Sequence, residues 1–425
     1  MSLLFGPMHQ HIDGHKELTA HNEIIRLEPA KIICVALSHG NIEANCLVKV
    51  GDHVKIGTKL AERNDTFYVP VFAPVSGTVI ALEKRPTTFL RPVLHAIIEN
   101  DFKDDTEDLA TLSEDASKEE IIEFIKDRGI IGCGGAGFPT YFKYQTDKCR
   151  YLLINAVECE PYITSDARMI ERKSYYLETG VRLLMKASGA EKCIICIKEE
   201  KKELISLLKD RFKDYDNVSI HTLKDLYPMG WERVMVQEAL HKTYDRLPIE
   251  AGAIITSATT ASYVGRAAVT GLPINEKIIT VSGNAIKEPH NVLARVGTPF
   301  KDLVEACGGY TSNIVILLAG GPMMGSSLTN DEVTIVPASN ALTVLEYNEP
   351  EEITCLRCGV CANNCPSGLR PVNIMQAYRA NDLERIRKLK VLDCVECGLC
   401  TYNCPSKIVV TEYMRRAKRL AAARK

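Results

Sequence analysis

Cys355, Cys358, Cys361 and Cys365, followed by Pro366, form a C-x2-C-x2-C-x3-C-P run, and Cys394, Cys397, Cys400 and Cys404, followed by Pro405, repeat it 39 residues later. Two-residue gaps let three thiolates of one tight loop converge on one face of an iron-sulfur cubane. The fourth cysteine, set before a proline, points away and serves the other cluster. On that rule Cys355, Cys358, Cys361 and Cys404 hold one [4Fe-4S] cluster, and Cys394, Cys397, Cys400 and Cys365 hold the second. Structural zinc would present C-x2-C pairs rather than triplets closed by Cys-Pro. Gly359 and Gly398 suit a chain that curls around sulfide. Two clusters crossed in this way lie close enough to pass electrons singly.

A second candidate is Gly132-Cys133-Gly134-Gly135-Ala136-Gly137. It satisfies G-x-G-x-x-G, but a dinucleotide-binding loop needs a strand before it and a helix after it. Here Ser117-x-x-Glu120 reads as a capping box, and Ile121, Ile122, Phe124 and Ile125 form the apolar stripe of a helix ending near Gly129. The loop therefore follows a helix, and Phe138-Pro139-Thr140 interrupts what comes next. Four glycines in six residues permit positive φ, so backbone N–H groups can form a nest for a phosphate or a flat ring; a tight turn without a ligand is the alternative.

The elements that must position these groups are legible in part. Leu152-Leu153-Ile154 reads as a buried strand that delivers Asn155, Glu158 and Glu160 to its C-terminal end, where open α/β sheets bind ligands. Cys193 to Ile197, Ala253 to Thr256 and Ile278 to Val281 read as further strands of a largely parallel sheet. Ile374, Tyr378, Leu383, Ile386 and Leu389 have helical spacing between the two cysteine runs. Near the start, Val48 to Gly57 and Ala73 to Val79 alternate apolar and polar residues around glycine turns, as in a small β-sandwich.

Gly134-Gly135-Ala136-Gly137-Phe138-Pro139-Thr140, then Asn155-Ala156-Val157-Glu158-Cys159-Glu160-Pro161-Tyr162, then Thr164-Ser165-Asp166 together resemble the flavin and NADH site of the flavin subunit of respiratory complex I. Tyr227-Pro228-x-Gly230-x-Glu232, Gly320-Gly321-Pro322-Met323-Met324-Gly325 and the cluster motifs follow in order. With them the chain is identified as a member of the family of C subunits of the Rnf electron-transport complex and their soluble paralogues. The resemblance implies that Gly132, Gly134, Gly135 and Gly137 pack under and beside FMN, with Lys143 near its phosphate. It implies that Asn155, Glu158 and Glu160 line the flavin and nicotinamide pocket, that Glu232 adds a further glutamate, and that Thr260 contacts flavin. Three positions depart from the pattern: Ser257 stands where relatives have Asn, Trp231 replaces a small residue, and Cys133 replaces a larger one. A thiol at Cys133 could be redox-active or a small filler.

The implied fold is multidomain, α/β and α+β. A small N-terminal hammerhead-like β-sandwich spans 1–112, an α/β domain like the complex I FMN subunit 113–272, a β-grasp module of the SLBB type 273–345, and a helical ferredoxin-type domain with two [4Fe-4S] clusters 346–425. The sandwich resembles lipoyl carriers, yet its hairpin tip, Arg63-Asn64-Asp65-Thr66, has no lysine to modify. His9, His11, His15 and His21 are expected to be exposed. The basic tail, with Arg415, Arg416, Lys418, Arg419, Arg424 and Lys425, suits a helix C-terminus or an acidic partner.

With 425 residues, 52 Lys plus Arg against 54 Asp plus Glu, 25% charged and 46% hydrophobic residues, the composition is that of an ordinary globular protein of several domains. A net charge of -2 disfavours nucleic acid as a partner. No run approaches 18 apolar residues, and the start lacks the pattern of a signal peptide. The chain thus reads as cytoplasmic, at most peripheral on the cytoplasmic face of a membrane, and the 16 cysteines fit metal or redox chemistry there.

A hydride carries two electrons and a cluster takes one, so a flavin must stand between them. The expected function is an NADH-oxidising electron-transfer flavoprotein using FMN and two [4Fe-4S] clusters to reduce a protein acceptor. The three departures, and a start without Gly-Gly-x-His-Pro, favour a soluble donor to a dedicated reductase such as proline reductase. The alternatives are a peripheral subunit of a membrane-bound Rnf ferredoxin:NAD oxidoreductase complex, and a flavin-less iron-sulfur scaffold.

Overall fold

The computed structural model describes residues 10–88, 91–348 and 350–423. The first β-unit has an antiparallel sheet in the order Ile32–Ala36, Val93–Asn100, Gly77–Arg85, His53–Val54, and a second of Asn45–Cys46, Lys59–Asn64 and Tyr68–Phe72. Alternation of side chains across each strand turns Ile33, Val35, Leu60, Val79 and Ile98 into one shared core. Its hairpin tip is docked: Arg63 is buried, pairs with Asp65 and donates to His39 Nδ1 at 2.8 Å. His39 Nε2 in turn donates to the Gly137 carbonyl at 2.5 Å. The sandwich thus braces one end of the glycine loop.

Four parallel strands build the central α/β unit in the order Val218–Leu223, Lys192–Lys198, Tyr151–Ala156, Ala253–Ser257. Both faces are covered, which is why these strands read as unbroken apolar runs rather than alternations. Ser165–Ser188 and Ala258–Thr270 pack on one face with Ile154, Ile170 and Leu177, and Glu232–Leu240 packs on the other with Leu153 and Ile255. The helix Lys118–Asp127 starts at a capping box between Ser117 and Glu120, as expected from the sequence.

Ile278 to Val281 does not join this sheet. It lies in Glu276–Ser282, which belongs to a separate six-stranded sheet ordered Ile25–Arg26, His290–Arg295, Glu276–Ser282, Ala341–Glu346, Val315–Ala319, Ser326–Ser327. The run is apolar on both faces because Phe300–Ala306 and the flavin-type unit cover it, so its pattern alone could not separate the two sheets. Ile25–Arg26 pairs in parallel with this module instead of with the sandwich that follows it in the chain. Residues 10–27 therefore form a strap running from Tyr227, which bridges Gln10, to the β-grasp sheet.

The tail packs Pro371–Arg379, Leu383–Lys388 and Val410–Ala423 around Ile374, Ile386, Val391 and Met414. Among the described residues no helix is long and apolar enough to cross a membrane.

Candidate functional site

A cavity of about 740 Å³ opens at the C-terminal ends of Tyr151–Ala156 and Ala253–Ser257. Its floor is the glycine loop. Gly134 and Gly135 line the cavity, and a Cβ added at Gly135 would meet no protein atom within 4 Å, only the space a ligand would fill. The nest is smaller than the sequence implied, because three amides are already committed: Gly132 to Phe138 O at 2.8 Å, Cys133 to Thr260 Oγ1 at 2.9 Å, and Gly134 to Ala338 O at 3.1 Å. Gly132 closes a turn, and Gly137 faces the sandwich through His39.

Thr260 is buried behind the loop, where its hydroxyl holds the Cys133 amide and pairs with Ser257 Oγ at 2.7 Å. Ser257 caps the helix Ala258–Thr270 by accepting from the Thr260 amide, and it lines the cavity. That helix N-terminus adds a partial positive charge suited to an anion. Cys133 is buried at the cavity wall, and burial raises its thiol pKa, which disfavours the thiolate. Lys143 stands outside the wall, donating to Ile255 O at 2.9 Å, with its Nζ 3.7 Å from Oε1 of the cavity residue Glu232.

Opposite the loop is an acidic wall. Asn155 donates to Gly230 O at 2.9 Å and faces the cavity beside Glu158, Glu160 and Asp166. Glu158 Oε1 accepts from the Asp166 amide at 2.7 Å, whereas its Oε2 is buried with no hydrogen-bond partner. Burial raises the Glu158 carboxyl to about 7, opposed by the nearby Lys16 cation. Glu160 accepts from the amides of Met323 at 2.7 Å and Met324 at 2.9 Å; burial raises its pKa, and these amides oppose the rise. Burial also raises Asp166, which accepts from Thr259 Oγ1 at 2.6 Å. Three buried carboxyls whose pKa values burial raises can accept hydrogen bonds from a ring N–H or amide.

The third wall joins the cavity to the cysteine repeat. The Gly320 to Gly325 turn roofs the acids so closely that a Cβ at Gly321 would lie 2.2 Å from Glu160 Cγ. Cys397 lines the cavity itself. Tyr227 Oη donates to the Cys397 carbonyl at 2.7 Å and reaches Glu160 Oε2 at 3.5 Å, inside a buried apolar patch with Met323 and Leu399. Cys365, Cys394, Cys397 and Cys400 line one small pocket, which is the crossed set the spacing calls for. Ile353 N bonds Ser406 O at 3.2 Å and Ser406 Oγ bonds Thr354 O at 3.2 Å, so the turn after Cys404 lies beside the start of the Cys355, Cys358, Cys361 loop.

Backbone amides aim at the sulfurs, from Arg357 to Cys355 at 3.4 Å, Leu369 to Cys365 at 3.3 Å and Glu396 to Cys394 at 3.4 Å. Burial pushes the Cys394 thiol up to about 11 and those of Cys397 and Cys400 up to about 12, so iron must displace protons when it binds. Among the described residues no three His, Cys, Asp or Glu side chains converge on a single-ion centre. A cubane does not need that convergence, since each thiolate binds its own iron.

Sequence reasoning missed Lys16, Asp166 as a wall residue and Tyr227 as a bridge. Lys16 carries no local signal at all, being 144 residues from the carbonyl it holds. Of the four N-terminal histidines, His11 and His21 are exposed, His9 lies outside the described residues, and His15 is instead stacked on Tyr162 with ring centroids 4.9 Å apart.

A glycine-floored acidic cavity sharing a wall with a dicluster domain defines an electron-transfer oxidoreductase. The comparisons agree: residues 125–266 match the Nuo51 FMN-binding domain, 8–103 the RnfC barrel sandwich hybrid domain, 278–326 the SLBB domain, and 353–417 the 4Fe-4S dicluster domain. The chain belongs to the RnfC family. It is similar to the C subunits of several ion-translocating complexes. That of the proton-translocating ferredoxin:NAD(+) oxidoreductase complex of Clostridium ljungdahlii is 32% identical over 85% of this chain and 81% of the relative. Its counterpart in the Na(+)-translocating ferredoxin:NAD(+) oxidoreductase complex of Acetobacterium woodii is 31% identical over 83% and 82%. The counterpart in the ion-translocating oxidoreductase complex of Rhodobacter capsulatus is 34% identical over 90% and 76%. Among solved structures, an NAD+-reducing [NiFe]-hydrogenase shares the fold at a TM-score of 0.51 and 17% identity, over 72% of this chain and 62% of that one.

Proposed function

We propose that this protein oxidises NADH and passes the electrons singly to a protein acceptor through FMN and two [4Fe-4S] clusters. The observation that supports it most is the shared wall: Cys397 lines the cavity that Gly135, Glu158 and Glu160 also line. Gly134, Gly135 and the acids of the opposite wall would hold FMN, which would supply hydride acceptance and release of electrons one at a time. The chain's own residues do the rest. Gly135 leaves room for a ring face, the acids would accept from ring and carboxamide N–H groups, and the Gly320 to Gly325 turn would screen that contact from water. No side chain need act as a general acid. The loop holding Cys397 faces the cavity and the loop holding exposed Cys358 faces solvent, which favours entry at the first and exit at the second.

The relatives' names support an acceptor that is ferredoxin or another subunit of an ion-translocating ferredoxin:NAD(+) oxidoreductase complex. A soluble donor to a dedicated reductase such as proline reductase is the second reading. It is favoured by Trp231, Ser257 and Cys133, three departures that all line the cavity.

Anaerobic titration with NADH, followed in the visible spectrum, tests the core of the proposal. Bleaching of flavin and then of the broad iron-sulfur absorption is the expected result. Clusters that fail to respond to NADH would overturn it and bring the scaffold reading forward. Co-purification with membranes or with a soluble reductase then separates the two acceptors.

A further inference from the structure

We propose that Lys16 is a positioning residue of this site, and that the strap of residues 10–27, outside the flavin-type unit, builds its acidic wall. The inference rests on the reading of the cavity as a flavin and nicotinamide site. Its geometry does not depend on that reading.

The Lys16 side chain is almost fully buried, and its ammonium is aimed at one loop. It donates to the carbonyls of Glu160, at 3.0 Å, and of Ile163, and stands 3.9 Å from Glu158 Oε2, the carboxylate oxygen that has no hydrogen-bond partner. The loop it holds is contorted. Glu158 has φ of +43° and Tyr162 φ of +67°, both in the left-handed region that non-glycine residues avoid, so surrounding contacts must hold the shape.

Neighbours of Lys16 grip the same loop. Tyr162 donates its amide to Gly14 O at 2.6 Å, and His15 stacks on the Tyr162 ring. Thr19 Oγ1 meets Thr164 Oγ1 at 2.7 Å, and Asn291 of the β-grasp sheet donates to both Thr19 O, at 3.1 Å, and Thr164 Oγ1, at 2.8 Å. The strap is thus tied at both ends of the loop, with the lysine between. A buried cation that satisfies two carbonyls and faces one acid would be costly to retain for packing alone. Here it fixes where Glu158 and Glu160 stand and offsets their charge.

The test compares wild type with K16M and K16R, purified anaerobically with cofactors. In K16M, amides 158–166 should exchange hydrogen about tenfold faster or more, while those of the strand Lys192–Lys198 stay unchanged. KM for NADH should rise by about tenfold or more, with a smaller fall in kcat. K16R keeps the charge but not the compact three-way fit, and should fall between the two. Unchanged exchange at 158–166, in K16M or in K16R if K16M does not fold, would overturn the positioning role. Faster exchange with an unchanged KM would overturn its link to the site. A wild type that ignores NADH would sink the functional reading while the exchange arm still decides the role of Lys16.

Discussion

The two cysteine loops have the same spacing and the same backbone but different surroundings. Arg357 and Glu396, at matching positions, have φ of +55° and +57°; Gly359 and Gly398 have +77° and +81°; short helices Val360–Asn363 and Leu399–Tyr402 follow. Yet Cys358 is exposed and Cys397 is 8% exposed, on the wall of the cavity. Spacing dictates what a loop can ligate, and what packs on it dictates which direction it serves. Met323, Tyr227 and Glu396 are where the difference arises.

Removing a ligand from each loop gives the largest expected effect. C397S should lose about four irons per chain and leave a remaining cluster that NADH no longer reduces, because the loop facing the cavity is gone. C358S should lose the same iron but leave a cluster that NADH still reduces. EPR of the NADH-reduced variants reads this directly, and the opposite pattern would reverse the assignment of entry and exit.

The paired glycines come next. Alanine at Gly359 meets nothing within 4 Å and should cost only its left-handed backbone, about 1–2 kcal/mol. Alanine at Gly398 would place its Cβ 2.6 Å from Met323 O, so G398A should cost about 3 kcal/mol or more and loosen the roof over Glu160. Thermal melts of the two proteins, with their cluster content, check the gap. Equal costs would mean that Met323 is not a firm support.

Y227F should have a milder effect. It removes the bond to the Cys397 carbonyl while keeping the ring, and Glu160 retains the Met323 and Met324 amides. The expected loss is about 1 kcal/mol of stability. In EPR-monitored redox titrations the potential of the Cys397 cluster should shift and that of the Cys358 cluster should not. A shift in both would show that the loops are not insulated from one another.

Much of this arrangement was legible before the structure, and the limits have physical causes. The cysteine runs repeat at short range, so spacing alone proposes the ligand sets, and Cys365, Cys394, Cys397 and Cys400 do line one pocket. The strand Tyr151–Ala156 announces its acids because the chain delivers them directly from its end. Ile278 to Val281 misled because a strand buried on two faces looks alike in any sheet. The glycine loop promised a full nest, but Thr260 and Ala338, remote in sequence, take amides that the motif left free. Lys16 acts wholly through tertiary contact, which no periodicity or spacing marks; Tyr227 stands in a recognisable motif, but its bridge to Cys397 is a tertiary contact the motif does not show.

The smallest effect separates charge from packing in the buried loop. Glu396, 34% exposed at its side chain, faces Lys418 at 2.9 Å and Arg415 at 3.4 Å on the last helix; Arg415 also reaches Met324 O at 3.3 Å. Lys418 separately donates to Cys394 O at 2.7 Å, so the loop keeps one tie to that helix whatever happens at Glu396. Because Glu396, Lys418 and Arg415 each keep part of their surface in water, E396Q should cost about 1 kcal/mol, and the difference from wild type should shrink as salt is raised. R357Q, at the matching exposed position, is the control and should be neutral. A salt-insensitive loss in E396Q would mean that Glu396 holds the loop by shape rather than by charge. The distinction between the two loops would then rest on packing throughout, from Met323 to the last helix.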